Sequence, residues 1–193
     1  MIEKITEIVH QSLDIKCRFF ADYTAEIGRA GRMLVESLKV GGKIFLFGNG
    51  GSASDAQHIA AEFVNRYVTD RPAIPAIALN TDSSILTSIS NDSSFIHVFS
   101  RQIAALGKRG DIAIAISTSG NSPNIIEAVK QAKQLNMSTI GLLGKDGGKL
   151  IKMVDNALIV PSTSTPRIQE VHIMIGHILC ELVEEELYGI VNN

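Results

Sequence analysis

Five residues, Gly48-Asn49-Gly50-Gly51-Ser52, join a continuous apolar run to a helical pattern, and this junction constrains the fold more than any other stretch of the chain. Upstream, Lys43 to Phe47 reads as a short buried strand. Downstream, Ala53, Ala56, Ile59, Ala60 and Phe63 recur at helical spacing. A glycine-rich turn from strand to helix leaves backbone N–H groups free at a helix N-terminus, where the macrodipole favours an anion. A second junction repeats the design. Asp111 to Ile116 is another apolar strand, followed by Ser117-Thr118-Ser119-Gly120-Asn121-Ser122-Pro123 and a helical pattern from Asn124 to about Leu135. Hydroxyls at 117, 118, 119 and 122, with Pro123 suited to a first helical turn, describe another anion site at a helix start. One such turn is compatible with a purely steric role, because glycine serves wherever φ is positive. Two of them, each after a parallel-type strand, point to a phosphorylated small molecule.

Around these junctions the chain alternates. Strands are expected at 43–47, 74–79, 111–116, 138–143 and 157–160, and helices at 52–67, 82–90, 96–106, 123–135 and 166–187. Continuous apolar strands separated by helices predict a parallel sheet covered on both faces, with ligands outside the carboxyl ends of the strands. Before the first strand, residues 1–39 carry a helical pattern of Ile2, Ile5, Ile8, Val9 and Leu13, then Phe19, Phe20, Ile27, Leu34 and Leu38. It reads as two helices, broken or bent near residues 21–24, placed to pack on the sheet or on a neighbouring subunit. At 193 residues, without repeats or linker-like segments, the chain fits one domain: helices over 1–39, and an α/β core with a C-terminal helix over 40–193.

Net charge of −2 and a pI of about 6.2 exclude a nucleic-acid footprint and a polybasic membrane patch. Scarce aromatics, with seven Phe, three Tyr and no Trp, weaken base stacking further. The N-terminus lacks a signal peptide's continuous apolar core, and no run approaches a membrane span. Cys17 and Cys180 form no CxxC and lie among apolar neighbours, so both are expected to be small buried hydrophobes in a reducing, cytoplasmic compartment. Gly48-x-Gly50-x-x-Ala53 satisfies a loose dinucleotide fingerprint, but the following strand ends Ala78-Leu79-Asn80 instead of in an acidic residue. Gly144-Lys145-Asp146-Gly147-Gly148-Lys149 lacks the spacing of a P-loop and the Ser/Thr after its lysine.

His58 and Glu62, four apart, project from one helical face. The last helix, strongly apolar, holds Gln169 and His177 within one broad face. His172 lies well round from His177 and reads as structural. Buried polar groups need partners, and these residues are candidates for a shared site.

Taken together, Gly48 to Ser52, Ala56-Gln57-His58-Ile59-Ala60-Ala61-Glu62, Ser90-Asn91-Asp92, Ser117 to Ser122, and Arg167-Ile168-Gln169-Glu170 with His177 resemble the phosphoheptose isomerase family, over nearly the whole chain. These are single sugar-isomerase (SIS) domains. The resemblance implies a three-layer α-β-α sandwich around a five-stranded parallel sheet, flavodoxin-like in topology but without a nucleotide. It implies conversion of D-sedoheptulose 7-phosphate to D-glycero-D-manno-heptose 7-phosphate in bacterial heptose biosynthesis, by a homotetramer with sites between subunits. It implies one zinc ion per subunit on His58, Glu62, Gln169 and His177. Substrate contacts would fall on Asn49, Gly50, Gly51, Ser52, Glu62, Asn91, Asp92, Ser117, Thr118, Ser119, Ser122 and Gln169. Glu62 and His177 would be the acid/base pair of a cis-enediol reaction, with either able to take the carbon proton. One departure stands out: Ser162-Thr163-Ser164-Thr165-Pro166 lacks the Asp that some relatives carry before Arg-Ile-Gln.

Two rivals share the fold. A non-catalytic SIS regulator, sensing sugar phosphates or binding a replication-initiation protein, would lack the acid/base residues that this chain has at Glu62 and His177. An isomerase for a pentose 5-phosphate would be expected to carry further regulatory domains.

Overall fold

The computed structural model describes residues 1–189. A long helix, α1 (Ile2–Lys39), leads into β1 (Ile44–Gly48), α2 (Gly51–Val64) and β2 (Ala76–Ala78). Then come α3 (Ser83–Asp92), a 3-10 turn (Phe95–His97), α4 (Ser100–Leu106), β3 (Ile112–Ser117) and α5 (Pro123–Gln134). The chain closes with β4 (Ser138–Gly144), a 3-10 turn (Leu150–Lys152), β5 (Asn156–Val160) and α6 (Thr165–Tyr188). The five strands form one parallel sheet in the order β2-β1-β3-β4-β5, as the alternation of apolar runs and helices predicts. Every residue of β1 and β3 is buried, because helices cover both faces.

Alternate strand residues feed two cores. Ile44, Leu46, Ile112, Ile114, Ile116, Ile140, Leu142, Leu158 and Val160 face α1, α2 and α6. Phe45, Phe47, Ala113, Ala115 and Leu143 face α4 and α5, with Val98 and Phe99 from the segment before α4. The chain leaves β1 toward β2 on one side and returns to β3 on the other. The carboxyl ends of β1 and β3 are therefore the topological switch point, where an open α/β sheet has its crevice.

The N-terminal region departs from the two-helix expectation: α1 is continuous through residues 21–24. No proline lies before Pro72 and the first glycine is Gly28, so nothing in that stretch stops a helix. Thr24 instead bonds the Phe20 carbonyl within the helix (2.5 Å). The apparent break at 21–24 is only a gap in the apolar pattern between Phe20 and Ile27; the change of environment along the helix comes earlier, between Leu13 and Ile15. From Ile15 onward the apolar face is buried against β5 and α6, whereas Ile2, Ile5, Ile8, Val9 and Leu13 remain exposed. The expected helix over 96–106 is a 3-10 turn followed by the short α4. Cys180 is buried as expected, but Cys17 is exposed, because its position on α1 turns away from the sheet.

His172 is fully buried, with Nε2 2.9 Å from the Leu143 carbonyl, so Nε2 carries the proton and donates it. Burial holds its pKa down at about 4, against the opposing pull of that hydrogen bond. A depressed histidine pKa stabilises the fold above pH 6.5, and that contribution is lost as pH falls toward 4. A displacement from 6.5 to about 4 amounts to about 3 kcal/mol at 1.36 kcal/mol per unit. His172→Gln keeps a donor but cannot titrate. Urea unfolding is expected to show the wild type losing about this much stability relative to the variant between pH 7 and pH 4.

Candidate active site

Both glycine/serine loops lie at the switch point. In the first, Gly50 takes φ 58 as the residue before α2, a conformation that favours glycine. Ser52 and Ala53 donate back to the carbonyls of Asn49 and Gly50 (3.1 and 3.0 Å). The N–H groups of Asn49, Gly50 and Gly51 have no backbone acceptor among the described residues, which is the free-donor arrangement of an anion cradle. Gly48 is bracketed by the Asn80 side chain, whose Nδ2 donates to the Gly48 carbonyl at 2.8 Å. Asn80 thus closes the end of β1 at the place where a dinucleotide-binding chain carries an acidic residue.

The second loop folds on itself. Ser117 Oγ accepts from Gly120 N–H (3.1 Å) and lies 3.4 Å from Ser122 Oγ, while Ser119 Oγ accepts from Asn121 N–H (3.2 Å). Pro123 begins α5, as expected. The glycine-rich turn at 144–149 supports this loop from beneath. It leads into a 3-10 turn instead of a helix, and Leu150 N–H donates to the Gly120 carbonyl at 3.1 Å. The P-loop reading is thereby closed on structural grounds as well.

A reciprocal amide pair ties the two loops together. Asn49 Nδ2 donates to Asn124 Oδ1 (3.0 Å), and Asn124 Nδ2 donates to Asn49 Oδ1 (2.9 Å). Asn124 is 3% exposed, so this is a buried, mutually satisfied pair that fixes the spacing of the cradles.

The titratable groups come from α2 and α6, which run side by side in the same direction. Gln169 lies against Gly51 at the head of α2, where a Cβ would collide with its amide. Further along, Gly176 takes the Ile59 side chain at a distance that no Cβ would permit. That close approach lets His177 face His58, with Nε2 to Nε2 at 3.4 Å, while Glu62 Oε1 stands 3.2 Å from His58 Nε2. Glu62, His58 and His177 therefore share one solvent-facing edge of the α2–α6 pair, about two to three turns along α2 from the first loop. Among the described residues, no group of three His, Cys, Asp or Glu side chains is gathered closely enough to hold a metal ion unaided.

Asn91 and Asp92 end α3, where their side chains bond each other (2.8 Å). Asp92 lines a separate open cavity of about 590 Å³ with His97 and Arg101, and neither loop contributes to that cavity.

Several residues at the site carry no local sequence signal. Asp55, one turn before His58, buries Oδ2 without a partner, and burial raises its carboxyl to about 6. Arg71 and Glu184 form a buried ion pair at 2.9 Å. Glu184 also accepts from the N–H groups of Tyr67, Val68 and Thr69 (2.8, 3.0 and 3.0 Å). Burial alone would raise the Glu184 carboxyl, but these three donors and Arg71 hold it below the usual carboxylate range. Arg71 in turn donates to the carbonyls of Phe63 (2.6 Å) and Glu62 (2.9 Å) at the end of α2. Tyr67 stacks on His177, with centroids 5.4 Å apart and planes 20° from parallel.

A flavodoxin-like sheet with paired anion loops at its switch point, flanked by a carboxylate and two imidazoles, defines an α/β domain built to hold and react a small phosphorylated compound. The chain belongs to the SIS domain family, whose model matches residues 9–144, and within it to the phosphoheptose isomerases. It is 52% identical over 188 residues to the phosphoheptose isomerase of Thermodesulfovibrio yellowstonii, spanning 97% of this chain and 94% of that protein. Among solved structures it is similar to the phosphoheptose isomerase of Neisseria gonorrhoeae (42% identity, TM-score 0.90) and to one from Francisella tularensis (37%, 0.92). Each of these alignments covers 95% of this chain and 98% of the other.

Proposed function

We propose that this chain is an aldose–ketose isomerase that converts D-sedoheptulose 7-phosphate to D-glycero-D-manno-heptose 7-phosphate, supplying bacterial heptose for surface polysaccharide. The observation that carries the reading is the meeting of Glu62, His58 and His177 on one edge, on a helix that leaves the first of two cross-linked loops. The extent of identity to named phosphoheptose isomerases supports the substrate.

In this reading Ser117, Thr118, Ser119 and Ser122 hold the phosphate with the start of α5. The free N–H groups of Asn49, Gly50 and Gly51, with the Ser52 side chain beside them, receive sugar oxygens. The carbonyl end then lies toward α2 and α6. Glu62 takes the C1 proton of the ketose to give a cis-enediol, and His177 moves the proton between the C1 and C2 oxygens. Return of a proton to C2 completes the aldose. Asn91 and Asp92, at the end of α3 with Asp92 on a cavity that neither loop lines, suit a site completed by a neighbouring subunit of a homotetramer. The exposed apolar stripe Ile2, Ile5, Val9 and Leu13 of α1 supports assembly.

The two imidazoles are spaced as zinc ligands, although the described residues gather no closed group of three such side chains, so Glu62 and Gln169 would complete the set only by turning toward the pair. Two ligands of a tetrahedral zinc, each about 2.0–2.1 Å from the ion, stand about 3.4 Å apart, and the His58–His177 nitrogens are separated by 3.4 Å. His58, Glu62 and His177 would hold it, with Gln169 as a fourth, oxygen ligand. Zinc would polarise the substrate carbonyl and stabilise enediolate charge. Cytoplasmic location is part of the proposal, supported by two free cysteines.

The test is a coupled assay of purified protein with sedoheptulose 7-phosphate, with added zinc and with chelator. Aldose formation lost on chelation and restored by zinc is expected. Undiminished turnover after verified metal removal would remove zinc from the account, and no turnover with zinc bound would remove the isomerase.

A further inference from the structure

The residues between α2 and β2 contain a device that the proton chemistry does not use. Tyr67 is half-buried and lies nearly flat against the His177 imidazole, on a segment without helix or strand. Such a segment would not ordinarily hold a ring in register. Here Glu184 takes the N–H groups of Tyr67, Val68 and Thr69 on one carboxylate, and the same carboxylate pairs with buried Arg71. Arg71 also caps α2 at the carbonyls of Glu62 and Phe63. One ion pair therefore connects the helix bearing Glu62 and His58, the helix bearing His177, and the backbone of Tyr67. His177 also stands edge-on to His58, across a 65° interplanar angle, so the phenol ring, offset with centroids 5.4 Å apart, is the near-parallel surface beside the imidazole.

We infer that Tyr67 is a positioning residue: its ring, on a segment clamped by Arg71 and Glu184, fixes the rotamer of His177 so that Nε2 faces His58 Nε2 across 3.4 Å. The inference rests on the reading of His177 as a proton-moving, metal-holding group. The phenol hydroxyl takes no part; the ring face does the orienting. Loss of that face lets the imidazole swing, which impairs turnover more than substrate capture, because the phosphate is held at the other end of the site.

The test compares Tyr67→Phe with Tyr67→Leu in the full chain, with Tyr67→Ser as a second ring-free variant should leucine fail to fold. The first readout needs no activity. The protein has five histidines, so a carbon–proton NMR spectrum of ¹³C-histidine-labelled, chelated protein is simple, and His177→Gln identifies the His177 signals by their loss. A stacked aromatic ring shifts the His177 ring protons upfield. Tyr67→Phe is expected to keep that shift and Tyr67→Leu to abolish it. The second readout is turnover of sedoheptulose 7-phosphate. Misplacing a reacting group by about 1 Å costs up to about 10²-fold, so Tyr67→Leu is expected to lower kcat toward that extent with KM little changed, and Tyr67→Phe to restore most of it. Wild-type kcat in Tyr67→Leu overturns the inference, as does an equal loss in both variants, which would give the role to the hydroxyl. A wild-type protein inactive on the sugar phosphate, yet showing the upfield His177 shift, would locate the failure in the functional reading and not in the stack.

Discussion

Glu62→Gln is expected to lower turnover by about 10²–10⁴-fold, the range of one general acid–base step, in a protein that melts within a degree or two of the wild type. The two parts of this expectation have separate causes. Glutamine keeps the shape of glutamate but has no basic oxygen for the carbon proton. The fold loses little, because the side chain is partly exposed and its pairing with His58 is the half-exposed kind that contributes little to stability. The Glu62 carbonyl, which anchors Arg71, is untouched by the substitution. Steady-state kinetics beside a thermal melt separates the two effects. Turnover within threefold of the wild type would remove Glu62 from the base role and leave His177 as the group to test.

Glu184→Ala is expected to act in the opposite way, on stability first. It strands a buried guanidinium and removes the acceptor of three backbone N–H groups, and breaking a buried ion pair from one side costs about 3–5 kcal/mol. Domains of this size are stable by only about 5–15 kcal/mol, and 1 kcal/mol shifts the melting temperature by about 2–4 °C. A fall of roughly 6–20 °C is therefore expected in differential scanning calorimetry. A fall under 2 °C would show that water replaces the clamp and that the 65–73 segment is not held by it. Glu184→Gln retains one acceptor oxygen and is expected to fall between the two.

These two residues also mark what the sequence discloses. Glu62 is legible because His58 precedes it by four on an apolar-patterned helix, and a local spacing is enough to put both on one face. Glu184 belongs to a run of acidic residues at the end of the last helix, where a solvated face is the ordinary reading. Its partner Arg71 is 113 residues away, and no periodicity reports a pairing of that range. The same holds for Asn124, whose bond to Asn49 spans 75 residues and crosses between two loops that were each readable separately. Tyr67 follows the end of a helix and has no pattern of its own.

The strands were legible because burial on both faces demands continuous apolar residues, so β1, β3 and β4 stand within a residue or two of where hydropathy places them. β2 is shorter than its apolar run, since only Ala76–Ala78 pair with β1 at the sheet edge. In α1 the pattern misled for a physical reason. Its apolar pattern lapses between Phe20 and Ile27, and a lapse in pattern reads as a break even though no glycine or proline lies at 21–24. The exposure of Cys17 follows from the same helix.

In the proposed reaction the edge shared by α2 and α6 moves protons between adjacent carbons of a phosphorylated ketose. Proton NMR of the zinc-loaded protein with sedoheptulose 7-phosphate in heavy water tests it most directly. Growth of an aldose 7-phosphate carrying solvent deuterium at C2 is expected, since a cis-enediol intermediate exposes the transferred proton to exchange. Unchanged ketose after prolonged incubation with folded, metal-loaded protein would contradict it.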